Sequence, residues 1–390
     1  MSDSGMRRID LHFEDQTYPV WLGQRCLDGI VDRLAALDAT SYHVVTDQEV
    51  GPLHAQPLVE ALAAHGMVRM WTIAGGESGE GGKTLATVGT LAETMLTAGA
   101  DRRSVVVAVG GGVVGNIAGL LAALLFRGIR LVHVPTTLIA MGDSVASLKQ
   151  AVNLSRGKNL LGCFYTPTMV LADVSYLQTL PPVQVRSGMC EIIKNALAVS
   201  AENRTLLEGA LRPDAHYDGA TLERIVEAGL LAKQRLMVND RTERGTALVF
   251  EYGHTVGHAI ELAAEGVITH GEAVALGMIA AAEIAWKLGH LSAAARDLHY
   301  QLIARNGTPT IMPAGVAVEA VMALIRADNK RGYLEARADQ VPMVLLRDLG
   351  EPMLTDGRPL TLVDTALVAE TISLHLVSEP QAARREAGFR

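Results

Sequence analysis

Apolar and polar residues change their rhythm along this chain, and the change predicts two domains. Residues 8–13 and 18–22 alternate closely enough to form an N-terminal strand pair. YHVVT at 42–46 is a short apolar strand, 57–65 has helical spacing, and 68–73 is a further strand. Residues 84–99 place apolar side chains at three- and four-residue intervals, which predicts a helix. SVVVAV at 104–109 is a continuous apolar run, the pattern of a strand buried on both faces, and RLVHV at 130–134 is the next. Strands alternating with helices of this length form an open parallel sheet. Past Pro182 the texture turns helical, over 191–200, 222–238, 251–264 and 272–287. Residues 179–182 are the candidate linker. The expected architecture is an α/β N-terminal domain with a parallel Rossmann-like sheet over 1–181. A mostly α-helical metal-binding domain follows over 182–390.

Composition narrows the partners. The 390 residues are enough for a large core, and the net charge of −8 gives no general attraction to nucleic acid or an anionic membrane. Cys26, Cys163 and Cys190 are an odd number without CxxC spacing, which fits free thiols in a reducing compartment. The N-terminus has no signal-like apolar core, and the most apolar stretch, 113–126, is too short to span a bilayer and contains Asn116. The expected location is cytoplasmic.

Three groups of residues carry candidate chemistry. Gly110, Gly111 and Gly112 follow a buried strand and open a helix. Without Cβ atoms they let the backbone approach a pyrophosphate, while the helix N-terminus supplies N–H donors. The spacing is not GxGxxG, and a tight turn without a ligand is the plain alternative. A second loop, GGESGEGGKT at 75–84, offers Glu80 for ribose hydroxyls and Lys83 for a phosphate. Lys149, Lys158 and Asn159 fall within eleven residues between two apolar strands, a pattern that suits phosphate, although surface lysines are common. Asp143 has two open roles, orienting a ribose or pairing with a lysine.

The third group suits a divalent metal. Glu191 and Lys194 stand at i and i+3, His254 and His258 at i and i+4, and His270 opens the next helix. A carboxylate with two imidazoles is a ligand set for catalytic zinc with an open position. The spacing leaves open which two histidines bind.

GGGVVGN, RG at 127–128, PTT at 135–137, KN at 158–159, EIIKN at 191–195 and GHTVGHAIE followed by HGE together resemble the sugar phosphate cyclases, the family of 3-dehydroquinate synthase. The likeness runs from about Gly75 to Met278. It implies bound NAD, a zinc or cobalt ion, a sugar phosphate substrate and a homodimer. By resemblance the metal ligands are Glu191, His254 and His270, and His258 is an acid–base residue that contacts substrate. Lys149, Lys194 and Glu251 join His258 in the catalytic set. Arg127, Asn159, Lys233 and Lys330 bind substrate, Arg127 reaching the phosphate held by the neighbouring subunit. The NAD set is Asp47, Glu80, Lys83, Gly111, Gly112, Asn116, Thr136, Thr137, Asp143, Lys158 and Thr179.

Departures from the family pattern carry the substrate information. Gln150 replaces the usual Thr after Lys149, and Asn116 replaces the usual Asp after GGGVVG. Seven residues before His254, where dehydroquinate synthases carry a carboxylate-binding Arg, this chain has Ala247; three before it, Glu251 replaces Asn. A buried substrate carboxylate without its Arg costs several kcal/mol, and Glu251, expected on the His254 helix face, adds repulsion. The substrate therefore lacks a carboxylate. SLKQAVN, RSGMCEIIKN and FEYGH point within the family to glucose 6-phosphate, in aminoglycoside assembly. The implied course is transient oxidation at C4 by NAD, loss of phosphate from C6, return of the hydride and intramolecular aldol closure. The alternatives are 3-dehydroquinate synthase itself, a cyclase of sedoheptulose 7-phosphate, a metal-dependent polyol dehydrogenase, and a sugar-phosphate-binding module without activity.

Overall fold

The computed structural model describes residues 5–73, 79–155, 157–326 and 333–377. It divides into two units, 1–181 with 218–242, and 182–217 with 243–390.

The first unit is built on a seven-stranded sheet. β1 (Met6–Phe13) and β2 (Gln16–Gly23) form the N-terminal hairpin. After α1 (Leu27–Ala35) come β3 (Ser41–Asp47), α2 (Gln56–Leu62), β4 (Met67–Ile73), α3 (Leu85–Thr97), β5 (Val105–Gly110), α4 (Gly112–Leu124) and β6 (Arg130–Pro135). α5 (Leu138–Gly142), β7 (Lys149–Leu154), β8 (Gly157–Phe164) and β9 (Met169–Asp173) complete the series. The strand order is β1-β2-β9-β6-β5-β3-β4, parallel from β2 onward. Every residue of β5 is buried, as its unbroken apolar run demands. Each fully buried valine there contributes about 1.5–3 kcal/mol against exposure. The order of connection reverses between β3 and β5, and that is where ligands of open α/β sheets bind, beyond the strand C-termini.

β7 and β8 are not part of the main sheet. They pair with each other as an antiparallel hairpin that carries Lys149 at its first residue and Lys158 and Asn159 on its return strand. Gln150 lies over Gly119 of α4, where any side chain would overlap its amide. That contact and the buried Val152 hold the inner face, whereas Leu160 and Phe164 are 52% and 41% exposed.

The second unit contains α6 (Pro182–Ala198) and α7 (Asn203–Ala210), and after α8 (Gly219–Met237) of the first unit it resumes with α9 (His254–Ala263), α10 (His270–Lys287), α11 (Ala293–Arg305), α12 (Val318–Ile325) and α13 (Thr365–His375). Small antiparallel pairs such as Gln340–Met343 with Thr361–Asp364 lie near its end. The helices that carry the candidate ligands approach closely through glycines. A Cβ on Gly277 of α10 would overlap the carbonyl oxygen of Gly253, and one on Gly271 would overlap that of Ser187 in α6. Thr269 and Glu272 form a reciprocal capping box that starts α10 at His270.

Two sequence expectations change. The pattern over 222–238 predicts a helix of the second domain; the helix forms as α8, but it belongs to the first unit. Gln234 accepts from the His12 N–H and donates to the His12 carbonyl, and so satisfies the open edge of β1. Arg7 pairs with Glu227, and Lys233 with Asp143. Periodicity shows that a helix has an apolar face but not which element covers it. The second change concerns 251–264. A 3₁₀ turn, Thr246–Glu251, ends before Tyr252, Gly253 takes the left-handed φ of 79°, and α9 starts at His254. Glu251 and His254 therefore stand on different elements rather than on one helix face. No helix among the described residues is long and apolar enough to cross a membrane.

Candidate active site

Strand ends build one cluster, in the first unit. The Thr136 N–H donates to the Gly110 carbonyl at 3.0 Å, joining the ends of β5 and β6. Gly111 caps α4 in extended conformation, and a Cβ there would stand 3.0 Å from Thr137 Cγ2. A Cβ on Gly112 would meet nothing within 4 Å, so that side of the helix N-terminus is open. The Thr136 hydroxyl oxygen is buried with no hydrogen-bond partner. An orphaned buried hydroxyl costs about 1–3 kcal/mol. Such a hydroxyl beside an open, glycine-lined helix N-terminus fits a phosphate-bearing dinucleotide. Lys149 opens onto a small cavity that Gly111, Gly112, Asn116, His133 and Ser144 also line.

Neighbouring residues of the expected NAD set are engaged within the protein. Asp47 Oδ1 accepts from the Glu49 and Val50 N–H groups and holds the turn after β3. Asp143 Oδ2 lies 3.2 Å from Lys233 Nζ, so of its two open roles the structure shows the lysine pair. Thr137 Oγ1 caps α5 by accepting from the Ala140 N–H. Thr179 donates its hydroxyl hydrogen to the Tyr176 carbonyl, so the 2.9 Å contact to His54 Nε2 is donated by the imidazole. Asn116 spans two segments: Nδ2 donates to the Gly112 carbonyl and Oδ1 accepts from the Ala151 N–H, both at 2.8 Å. Glu80 and Lys83 reach Asn153 and Asn159 of the β7–β8 hairpin. Lys158 is exposed on β8. Arg127 is exposed at the left-handed φ of 66°, and its guanidinium makes no hydrogen bond or ion pair among the described residues. Lys330 lies outside the described residues.

A second cluster is built by side chains from three helices of the second unit. Glu191 and Lys194 sit on α6, both buried, with Nζ 2.6 Å from Oε2. Glu191 Oε1 is buried with no hydrogen-bond partner and lies 3.7 Å from His254 Nε2 and 3.4 Å from His270 Nε2. His254 Nδ1 is 3.1 Å from the Tyr252 carbonyl, which only accepts, so the proton is on Nδ1. His270 Nδ1 is 2.9 Å from Glu261 Oε2. Both imidazoles thus direct Nε2 toward the same carboxylate oxygen, with the second nitrogen held as metal-bound histidines hold theirs. Ligand nitrogens of His254, His258 and His270 all lie within 4.8 Å of one another. An orphaned carboxylate oxygen facing three imidazoles is a donor set that fits a divalent cation such as Zn²⁺ or Co²⁺.

The charges agree with that donor set. Burial opposes ionisation of Glu191, but the Lys194 ammonium and His270 outweigh it and hold the carboxyl well below the usual range. Burial, with help from the Lys194 charge, pushes His254 down to about 4 and keeps its imidazole neutral. Burial also disfavours charge on His270, yet Glu191 and Glu261 overcome it and raise the group to about 10.

Sequence reasoning missed Tyr252, whose carbonyl orients His254, and Glu261, which orients His270. Glu261 had a signal: with His254 and His258 it occupies positions i, i+4 and i+7 of one helix face. Buried His133, beneath Gly115 and pushed down to about 4 by desolvation, was also missed.

The 3-dehydroquinate synthase N-terminal family profile matches residues 73–187, and the corresponding C-terminal profile matches 188–331. The chain belongs to the 3-dehydroquinate synthase family of sugar phosphate cyclases. Within it, the chain is 50% identical over 365 residues to a 2-deoxy-scyllo-inosose synthase of Micromonospora echinospora, covering 94% of this chain and 91% of that one. A crystal structure of 2-deoxy-scyllo-inosose synthase complexed with carbaglucose-6-phosphate, NAD+ and Co2+ superposes with a TM-score of 0.90 at 38% identity, covering 95% of this chain and 100% of that chain. The 2-epi-5-epi-valiolone synthase of Streptomyces hygroscopicus subsp. jinggangensis 5008, with NAD+ and Zn2+ bound, gives 0.72 at 26%, covering 95% and 97%. Cofactor and metal are therefore held by cyclases of this fold. Where dehydroquinate synthases carry the Arg noted above, this family member has Ala247, fully buried in the turn that Glu251 ends.

Proposed function

We infer that the chain is a carbocycle-forming lyase that converts glucose 6-phosphate into 2-deoxy-scyllo-inosose and inorganic phosphate, in aminoglycoside biosynthesis. The observation that carries this is half identity over nearly the whole length to proteins named for that product. Ala247 supports it, because an apolar methyl group offers nothing to the carboxylate of a dehydroquinate precursor.

When bound, NAD+ would take up and give back one hydride, so that no net NADH forms, and a divalent cation would polarise the oxygen of the carbon being oxidised. The open helix N-terminus at Gly111 and Gly112 receives the dinucleotide phosphates, with Glu80 on ribose and Lys83 on a phosphate. Thr136 gives its orphaned hydroxyl to the same cofactor. Glu191 Oε1 and the Nε2 atoms of His254 and His270 hold the cation, and Lys194 keeps Glu191 in place through Oε2. Lys149 and Asn159 bind the sugar phosphate. His258 relays protons at its imidazole. Glu251 accepts a hydrogen bond from a sugar hydroxyl.

The reading includes a homodimer. The outer edge of β8 is paired with no strand among the described residues and presents Leu160 and Phe164 to solvent. The guanidinium of Arg127, exposed at the end of the α4 segment, is the group that would serve the phosphate bound by a second copy. An exposed apolar strand edge is a surface proteins normally cover.

The test is phosphate release from glucose 6-phosphate, sedoheptulose 7-phosphate and the dehydroquinate precursor, each with NAD+ and Co²⁺. Glucose 6-phosphate should be the productive substrate. Faster release from either of the others would overturn the assignment.

A further inference from the structure

Asn153 closes the SLKQAVN stretch and has no part in the reading above. Its polar groups tie two separate segments together. The Asn153 N–H donates to the Lys83 carbonyl at 2.9 Å. Its side-chain Nδ2 donates to Glu80 Oε1 at 2.6 Å, and its Oδ1 accepts the Asn159 N–H at 3.0 Å. Lys83 Nζ closes the ring by donating to Asn159 Oδ1 at 2.6 Å. Lys83 is buried, and Asn159 holds the left-handed φ of 58°, a conformation that Asn tolerates better than most residues. One amide therefore joins the pair that the functional reading assigns to the cofactor, Glu80 and Lys83, to the residue it assigns to the substrate, Asn159.

We propose that Asn153 is a positioning residue that couples cofactor binding to sugar phosphate binding, through the ring of hydrogen bonds it makes with Glu80, Lys83 and Asn159. The proposal rests on the functional reading above. Whichever ligand binds first fixes the shared ring, and the second then meets a group already ordered. The coupling is positive, and by linkage each ligand tightens the other by the same factor. The donor from Nδ2 is the essential element. A carboxylate in its place would keep the acceptor for Asn159 but would set two anionic oxygens against each other at Glu80.

The test is calorimetric titration of the metal-loaded protein with NAD+, with and without saturating carbaglucose-6-phosphate. In the parent chain the sugar phosphate should tighten NAD+ by about tenfold, within the usual range for coupled sites. In Asn153→Ala and in Asn153→Asp both ligands should still bind, but the factor should fall to within about twofold of unity, an effect that general loosening of either site would not give. An unchanged factor in either folded variant, or no coupling in the parent, would overturn the proposal. A parent chain that binds neither ligand would overturn the functional reading, and the coupling with it.

Discussion

The two candidate clusters are made differently. The cofactor side is backbone: strand ends, a glycine-capped helix and hydroxyls one or two residues away in sequence. The metal side is side chains brought from α6, α9 and α10, with ligands separated by more than sixty residues between Glu191 and His254. Backbone chemistry tolerates most side-chain changes but not added bulk at the point of approach. Convergent side chains tolerate neither truncation nor loss of the groups that orient them. Truncation of a metal ligand should therefore reach stability as well as binding, whereas a methyl group added to the open face of the cradle should reach binding alone.

The largest expected effect is at Glu191. Glu191→Ala removes the oxygen that faces His254 and His270 and strands the buried Lys194 ammonium. Breaking a buried pair from one side costs roughly 3–5 kcal/mol. Metal content by elemental analysis should fall to background, and the melting temperature should drop with it. A variant that keeps its metal and its melting temperature would remove Glu191 from the ligand set. Next is Glu261→Gln, which deprives His270 of its carboxylate partner while keeping the shape. Metal affinity, read by chelator competition, should weaken about 10–100-fold with little change in melting. Unchanged affinity would show that the 2.9 Å contact to His270 has no bearing on the metal.

The cradle should respond in the opposite manner. Gly112→Ala adds a methyl group that meets no protein atom within 4 Å, so the melting temperature should hold while NAD+ affinity falls about tenfold or more. Gly110→Ala, whose Cβ would stand 2.6 Å from Val114 Cβ, should instead cost about 1–3 kcal/mol of stability. Equal loss of NAD+ binding and of stability in both variants would erase the contrast between the two clusters. The smallest effect is at the exposed Arg127. Arg127→Ala should raise KM for glucose 6-phosphate several-fold and leave metal and NAD+ affinity alone; an unaltered KM would place its guanidinium away from any phosphate.

The contrast also explains what was legible in the sequence. β5, the glycine run and the PTT at the end of β6 are contiguous, so the parallel sheet and the cradle could be read directly. The residue types of the metal cluster were equally visible, but helical spacing alone left the choice among three histidines open. Gly253 was less visible: its left-handed φ lets the chain turn before α9, and a helix pattern drawn through 251–264 misses that break. The placement of α8 depends on Gln234 and Lys233 meeting His12 and Asp143, contacts that no local pattern encodes. Asn116 reads in sequence as a cofactor contact, yet it bridges a helix carbonyl and a strand amide thirty-five residues away. Asn153 was invisible for the same reason, since its partners are fixed by tertiary structure.

The most direct test of the account is the fate of redox equivalents during turnover. Purified protein with glucose 6-phosphate, NAD+ and Co²⁺ should release inorganic phosphate in step with a cyclic ketone, while absorbance from NADH stays flat. Steady accumulation of NADH without phosphate release would contradict it and would mark the chain as a simple dehydrogenase.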